Sequence, residues 1–212
     1  FNPDLETYFP EGHPAVLQYN EIDDMFIPTD NLIIAVHSKG KTLFNKESLK
    51  VIEELTEKSW TIPYSVRIDS LTNYSYVQSI EDDLLVEPFI EDAEEKSSEF
   101  LAKRENIVSG EEIIYKSLIS EDRKTSVVSI VIDPPGPNKE AQTTEIIDYI
   151  LEFIAPIKES NKNLDIRLLG NPYMDYISPR IVKAEMPIVM PLMMLLIFFI
   201  VFLMIRSYIA VL

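Results

Sequence analysis

The side chains able to carry chemistry are few, and their spacing suits none of the common reactions. The chain has two histidines, His13 and His37, and no cysteine. Without cysteine, disulfides, thiolate nucleophiles and thiolate-ligated metals are excluded. The histidines belong to no H-E-x-x-H or comparable ligand pattern. His13 sits in a Gly- and Pro-flanked loop and His37 ends a predicted strand, so both read as surface or strand-end residues. Acids are adjacent at Asp23-Asp24, Asp82-Asp83 and Glu111-Glu112. General acid–base work needs two carboxylates whose surroundings separate their pKa values, and hydrated neighbours on a loop lack that difference. Glu81-Asp82-Asp83 offers oxygen atoms without the spaced ligands of an EF-hand loop. Lys39-Gly40-Lys41 is a turn and not a phosphate-binding loop, and G-x-S-x-G is missing. The expectation is a protein that is not an enzyme and uses no cofactor or metal.

The strongest physical demand comes instead from apolar residues. Glu185 and Arg206 bracket twenty uncharged positions, Met186 to Ile205. As a helix rising about 1.5 Å per residue, that run is about 30 Å long, the thickness of a bilayer's hydrocarbon core. Phe198 and Phe199 lie in its middle. Met186, Met190, Met193, Met194 and Met204 supply flexible packing surface. Pro187 and Pro191 fall in the first two turns of a helix starting at Met186, where proline is tolerated. The run has no ionisable residue, so any proton relay must lie on helices outside it.

Composition agrees with a folded domain joined to such a span. Formal net charge is −16, from 35 acidic and 19 basic residues. That balance argues against nucleic acid as a partner and against a polybasic membrane-surface binder. The first residues carry no Met, no basic stretch and no apolar core, so they are not a signal peptide. Tyr208 to Leu212 turn apolar again after Arg206. The chain therefore reads as an internal fragment of a multi-span protein. Arg206 favours a cytoplasmic C-terminal flank, with Lys183 on the other side, and places residues 1–185 outside the cytoplasm.

The preceding residues alternate between strand and helix patterns. NLIIAVHS (31–38) reads as a buried strand. Asn45 is a candidate N-cap for a helix over about 46–58, with Leu49, Val51, Ile52 and Leu55 on one face. SVRIDSL (65–71) is a second strand with Val66 and Ile68 inward. The pattern repeats as TSVVSIVID (125–133), a helix over about 139–154 presenting Ile146, Ile147, Ile150, Leu151 and Ile154, and DIRLLGN (165–171). Pro156 is expected to end or kink that helix. Crossovers of this size connect parallel strands. Between the two units, 74–90 reads as a hairpin turning at Glu81-Asp82-Asp83 and 92–104 as a polar helix. Residues 113–120 are expected to pair with 125–133. The fold class is α+β, with ferredoxin-like β-α-β subdomains followed by one transmembrane helix.

Taken in order, these pieces resemble the extracytoplasmic porter loop of the resistance–nodulation–division (RND) superfamily, in its lipid- and hydrophobe-exporting, MmpL-type branch. The residues that carry the resemblance are NPDLETYFPEGHPAVLQYNEIDDMF, then DNLIIAVHSKGKTLFNKESLKVIEELTEKSWTIP, SVRIDSLTNYSYVQS, DDLLVEPFI and LLGNPYMDYI, and finally the span closed by Ile205-Arg206-Ser207. The chain departs from the family pattern at two turns. Tyr64 stands where a glycine often follows Ile-Pro, and Asp122-Arg123 where a hairpin often has Asp-Gly. The resemblance implies a leading segment over 1–30 after an earlier membrane helix, a porter domain over 31–180, a membrane helix over 181–206 and the start of another over 207–212. It implies a proton-driven inner-membrane exporter of hydrophobic or amphiphilic molecules. Its partners would be the lipid bilayer, a second porter loop and other helices of the parent chain, and copies of itself in a homo-oligomer. Gly170, Pro172, Glu185 and Arg206 would be the coupling and motif positions. Two alternatives stay open: a single-span anchored binding or adaptor module, and a protein-export accessory domain like SecD/SecF.

Overall fold

The computed structural model of the chain describes residues 9–10, 12–25, 31–80, 83–111, 113–135 and 139–205. They form a mixed α+β protein with antiparallel sheets and one long apolar C-terminal helix. The elements are α1 (Pro14–Met25), β1 (Asn31–Ser38), α2 (Lys46–Ser59), β2 (Ser65–Asp69), β3 (Ser75–Ile80), β4 (Asp83–Pro88), α3 (Ser98–Val108), β5 (Thr125–Ile132), α4 (Lys139–Ser160), β6 (Leu164–Leu169) and α5 (Asn171–Ile205). Two compact units divide inside α5, between Tyr173 and Met174.

The first unit is built on a four-stranded sheet in the order β2-β5-β1-β6. β1 is antiparallel to both β5 and β6, and β2 is antiparallel to β5. The strands joined by each helix, β1 to β2 and β5 to β6, therefore run parallel, as their crossovers require. They are not neighbours, because β5 lies between β1 and β2, and β1 lies between β5 and β6. Alternation explains which face is covered: Leu32, Ile34 and Val36 of β1 are buried, as are Val128 and Ile130 of β5 and Ile166 and Leu168 of β6. α2 packs on β2 and β5, α4 packs on β6, and the two helices touch each other. Leu49, Ile52 and Leu55 come from α2, and Ile146, Ile147, Ile150 and Ile154 from α4, to complete this core. Asn45 caps α2 as its position suggests, its side-chain oxygen accepting from the Ser48 N–H at 2.9 Å.

Several local expectations are corrected. α4 runs through Pro156 for another turn, to Ser160. So near the helix end, the missing N–H costs only the bond to the Glu152 carbonyl, and the Ser160 hydroxyl donates to the Pro156 carbonyl. Val66 is 49% exposed although Ile68 is buried, because the β2–β5 register shifts between Ser65 and Arg67 and a bulge breaks the alternation. Residues 113–118 are mostly turns, and the expected pairing with β5 is confined to 118–120: Ile119 bridges Ser126, the Ser120 N–H donates to the Thr125 carbonyl at 2.8 Å and the Leu118 carbonyl accepts from the Val127 N–H at 3.0 Å. The helix expected from residue 92 starts at Ser98, where Ser97 supplies a cap to the Phe100 N–H. Asp23 and Asp24 lie in α1 and not in a loop.

β3 and β4 pair as the expected hairpin, and residues 81–82 at its tip lie outside the described residues. Its underside rests on Arg104 of α3, which is only 4% exposed. The guanidinium pairs with Glu87 and lies 4.8 Å, 5.2 Å and 5.0 Å from the ring centres of Tyr76, Phe89 and Phe100. Gln78 donates to the same Glu87 carboxylate at 3.0 Å. A cation enclosed by three rings and one carboxylate joins the hairpin to α3.

Candidate functional site

The junction from β6 to α5 is the most constrained backbone among the candidate positions. β6 ends at Leu169, which pairs with Ile33 of β1. Gly170 follows with φ +119, a conformation that side chains disfavour. A Cβ there would lie 2.2 Å from the Asn31 carbonyl oxygen and 3.3 Å from the Leu32 Cα. The chain thus passes directly over the start of β1, where only glycine fits. α5 begins at the next residue, and Pro172 is buried in its first turn. Proline suits that place, since its missing N–H would have no helical acceptor.

α5 holds the apolar run. By length and composition it can cross a membrane, and none of its apolar window is buried. Met186 is 53%, Phe198 48% and Phe199 55% exposed. A surface this apolar is costly in water and favourable in lipid. The helix starts at Asn171, so Pro187 and Pro191 lie in its interior together with Pro179, not in its first two turns. Each removes a bond to the carbonyl four residues earlier, at Asp175, Lys183 and Pro187. Glu185 is exposed on α5. Arg206 lies outside the described residues, and of Ile205 only the helical backbone is described.

The charges flanking the run are richer than Lys183 and Arg206 alone suggest. Arg180 stacks on Tyr176 at 3.5 Å from the ring centre, and its Nη1 donates to the Tyr176 carbonyl at 2.6 Å. The sequence signal for this contact is the i,i+4 spacing of an aromatic and an arginine.

Elsewhere the candidates are engaged in local structure. The His13 Nδ1 accepts from the Ala15 N–H at 3.2 Å at the start of α1. The His37 Nδ1 lies 2.9 Å from the Thr125 hydroxyl across β1 and β5. Glu111 is half-buried, while Glu112 and Asp82 lie outside the described residues, as does most of the Glu81-Asp82-Asp83 group. Lys39 donates to the Lys162 carbonyl, which pins the Lys39-Gly40-Lys41 turn to the α4–β6 connection. An open acidic depression of about 250 Å³ is lined by Lys50, Glu53, Glu54, Glu57, Asp92 and Glu94. Three of its carboxylates are used internally: Glu53 accepts from the Asp92 N–H at 2.7 Å, Glu94 pairs with Lys50 at 2.7 Å and Glu54 with Lys58 at 3.0 Å. Among the described residues no group of three or more His, Asp and Glu is placed to hold a metal ion. No family model and no curated protein matches the chain.

Proposed function

We propose that this chain is the first extracytoplasmic porter loop and second membrane helix of a proton-driven RND-type transporter, exporting hydrophobic or amphiphilic molecules across the cytoplasmic membrane. The observation that carries the reading is the joint at Gly170: β6 passes into the long apolar helix α5 across this single residue. In an exporter that works by rocking its porter domain, such a joint transmits helix motion to the sheet. The segment from Gly170 through Pro172 to Glu185 is then the coupling element. Proton relay residues belong to other helices of the parent chain, since the apolar run has no ionisable side chain.

Two further observations support the resemblance. Tyr64 and Arg123 stand where the family pattern often has glycine, and both adopt left-handed backbone, with φ 61 and φ 57. The turns keep a glycine-like conformation although the residues differ. The order β2-β5-β1-β6, with helices following β1 and β5, supports a ferredoxin-like subdomain of split β-α-β type. A second porter loop and neighbouring helices are the partners this reading requires, and a homo-oligomer is compatible with it.

The test is transport by the product of the parent reading frame, reconstituted in vesicles with an imposed proton gradient and a fluorescent amphiphile as substrate. Protonophore-sensitive export is expected, and a Gly-Ser insertion near Ser178 should abolish it while the protein stays folded. Undiminished transport with the insertion would refute the coupling role. Absence of any gradient-driven export would favour the anchored binding module or the SecD/SecF-like accessory domain.

A further inference from the structure

We propose that Tyr176, Arg180 and Lys183 form a binding site for the headgroup of an anionic phospholipid at the N-terminal edge of the apolar run. The inference rests on reading α5 as a membrane span. It starts from helical spacing. Positions 176, 180 and 183 follow the i, i+4, i+7 pattern and share one face of α5. At about 100° per residue, Glu185 falls about 180° round the helix from Tyr176, and Asp175 falls about 140° round from Arg180 and about 12 Å along the axis from Lys183, so neither carboxylate shares the face of the two cations.

Depth along the helix supplies the second argument. Lys183 precedes Met186 by about 4.5 Å of helix and Arg180 by about 9 Å. The headgroup layer on each side of a bilayer is about 5–7 Å thick. Lys183 lies within that layer, and the long Arg180 side chain spans the remaining distance. Both side chains are exposed. Arg180 is also held in place: its guanidinium stacks on Tyr176 at 3.5 Å while Nη1 is bonded to the Tyr176 carbonyl at 2.6 Å. Ordering the arginine in advance reduces the entropy lost on binding. The planar guanidinium forks onto phosphate oxygens, and the lysine ammonium adds a point charge beside it. Aromatic and basic residues together are the side chains that anchor helices at a lipid–water boundary.

Charge elsewhere narrows the occupant. With a net charge of −16, the chain as a whole is repelled by an anionic surface. A local pair of cations at the membrane boundary is then the place where an anionic lipid finds attraction. A free phosphate ion would lack the acyl chains that lie along the adjoining apolar helix, so the lipid is the favoured source of the phosphate.

The experiment uses the 212-residue chain. Its incorporation into phosphatidylcholine nanodiscs is measured first. Phosphatidylglycerol and phosphatidylcholine are then titrated onto the detergent-solubilised protein, and bound lipid is counted by native mass spectrometry. Each interfacial cation is worth about fivefold in affinity for an anionic surface. Arg180→Gln with Lys183→Gln should therefore weaken phosphatidylglycerol binding about thirtyfold and phosphatidylcholine binding little. Lys41→Gln with Lys103→Gln changes net charge equally on exposed positions of the other unit and should leave both unchanged. Circular dichroism should show the same helix content in all variants. Equal retention by the 180/183 variant, equal loss in the 41/103 variant, or displacement of the lipid by millimolar inorganic phosphate would each overturn the site. Failure of the chain to enter nanodiscs would overturn the span reading together with it, which separates that failure from loss of the site alone.

Discussion

Replacing Gly170 with alanine should be among the most damaging single-methyl changes in this protein. The added Cβ would stand 2.2 Å from the Asn31 carbonyl oxygen, 3.2 Å from the Asn31 carbonyl carbon and 3.3 Å from the Leu32 Cα. All three are backbone atoms at the start of β1, a central strand paired on both sides, so none can rotate away. Relieving the oxygen contact needs a shift of about 1 Å in β1 or in the β6–α5 joint, and overpacking of this kind costs about 1–3 kcal/mol. Holding an L-residue at φ +119 adds about 1–2 kcal/mol. Reduced freedom of the unfolded chain returns about 0.4–1 kcal/mol. The net loss is about 1–5 kcal/mol, centred near 3 and a sizeable part of a domain's usual 5–15 kcal/mol. For a unit of this size each kcal/mol lowers Tm by about 2–4 °C, so the central value corresponds to about 6–12 °C. Urea unfolding in detergent, followed by circular dichroism and by Trp60 fluorescence, would measure it. Gly110→Ala is the control, since its nearest neighbour is the Ile107 carbonyl oxygen at an ordinary 3.5 Å. A Gly170→Ala protein within about 0.5 kcal/mol of wild type would refute the claim that the joint is sterically fixed.

Glycine at Tyr64, which is 46% exposed with φ 61, should stabilise the first unit by about 0.5–1 kcal/mol, and a lowered Tm would contradict the backbone argument. Arg123→Gly should gain less, because Arg123 also donates to the Ser109 hydroxyl at 2.9 Å; chemical denaturation of both variants side by side tests that ranking. Arg104→Ala should cost about 2–4 kcal/mol by emptying the aromatic enclosure, while Arg104→Met recovers most of it, because the buried Nε has no partner among the described residues. Equal losses in the two variants would show that charge, not packing, holds the hairpin. Asp122 is held below the usual carboxylate range by the Ser120 hydroxyl and then by the Lys124 N–H, and Asp165 by its hydrogen bond from Arg167. Depressed folded values mean their contribution is complete above the ordinary Asp pKa of about 3.9 and is lost as pH falls through the folded values. Carboxyl NMR titration should find both groups titrating below that ordinary value, and either one at or above it would contradict the assigned bonds.

Much of this architecture follows from local pattern. Leu49, Ile52 and Leu55 define the buried face of α2 by spacing alone, and the β-branched runs in β1 and β5 identify the central strands. The apolar run marks the helix that is long and apolar enough to cross a membrane, and none of its apolar window is buried. What stayed hidden depended on partners distant in the chain. The order of the sheet is set by antiparallel pairings between β1, β5 and β6, which local periodicity does not encode. The enclosure of Arg104 assembles Tyr76, Glu87, Phe89 and Phe100 from a hairpin and a helix, and α3 itself lacks a clear apolar stripe to announce a buried arginine. Gly170 was visible as one of only five glycines, but its necessity comes from Asn31, more than a hundred residues away. The start of α5 is hidden in the sequence for a different, local reason. Residues 171–185 are polar enough to look like a connection, yet they continue the same helix as the apolar run. That continuity changes the meaning of Pro187 and Pro191: as interior residues they remove hydrogen bonds from the middle of α5. The coupling proposal rests on the joint and not on those prolines, since Gly170 is the position where the backbone entering α5 leaves no room for a side chain.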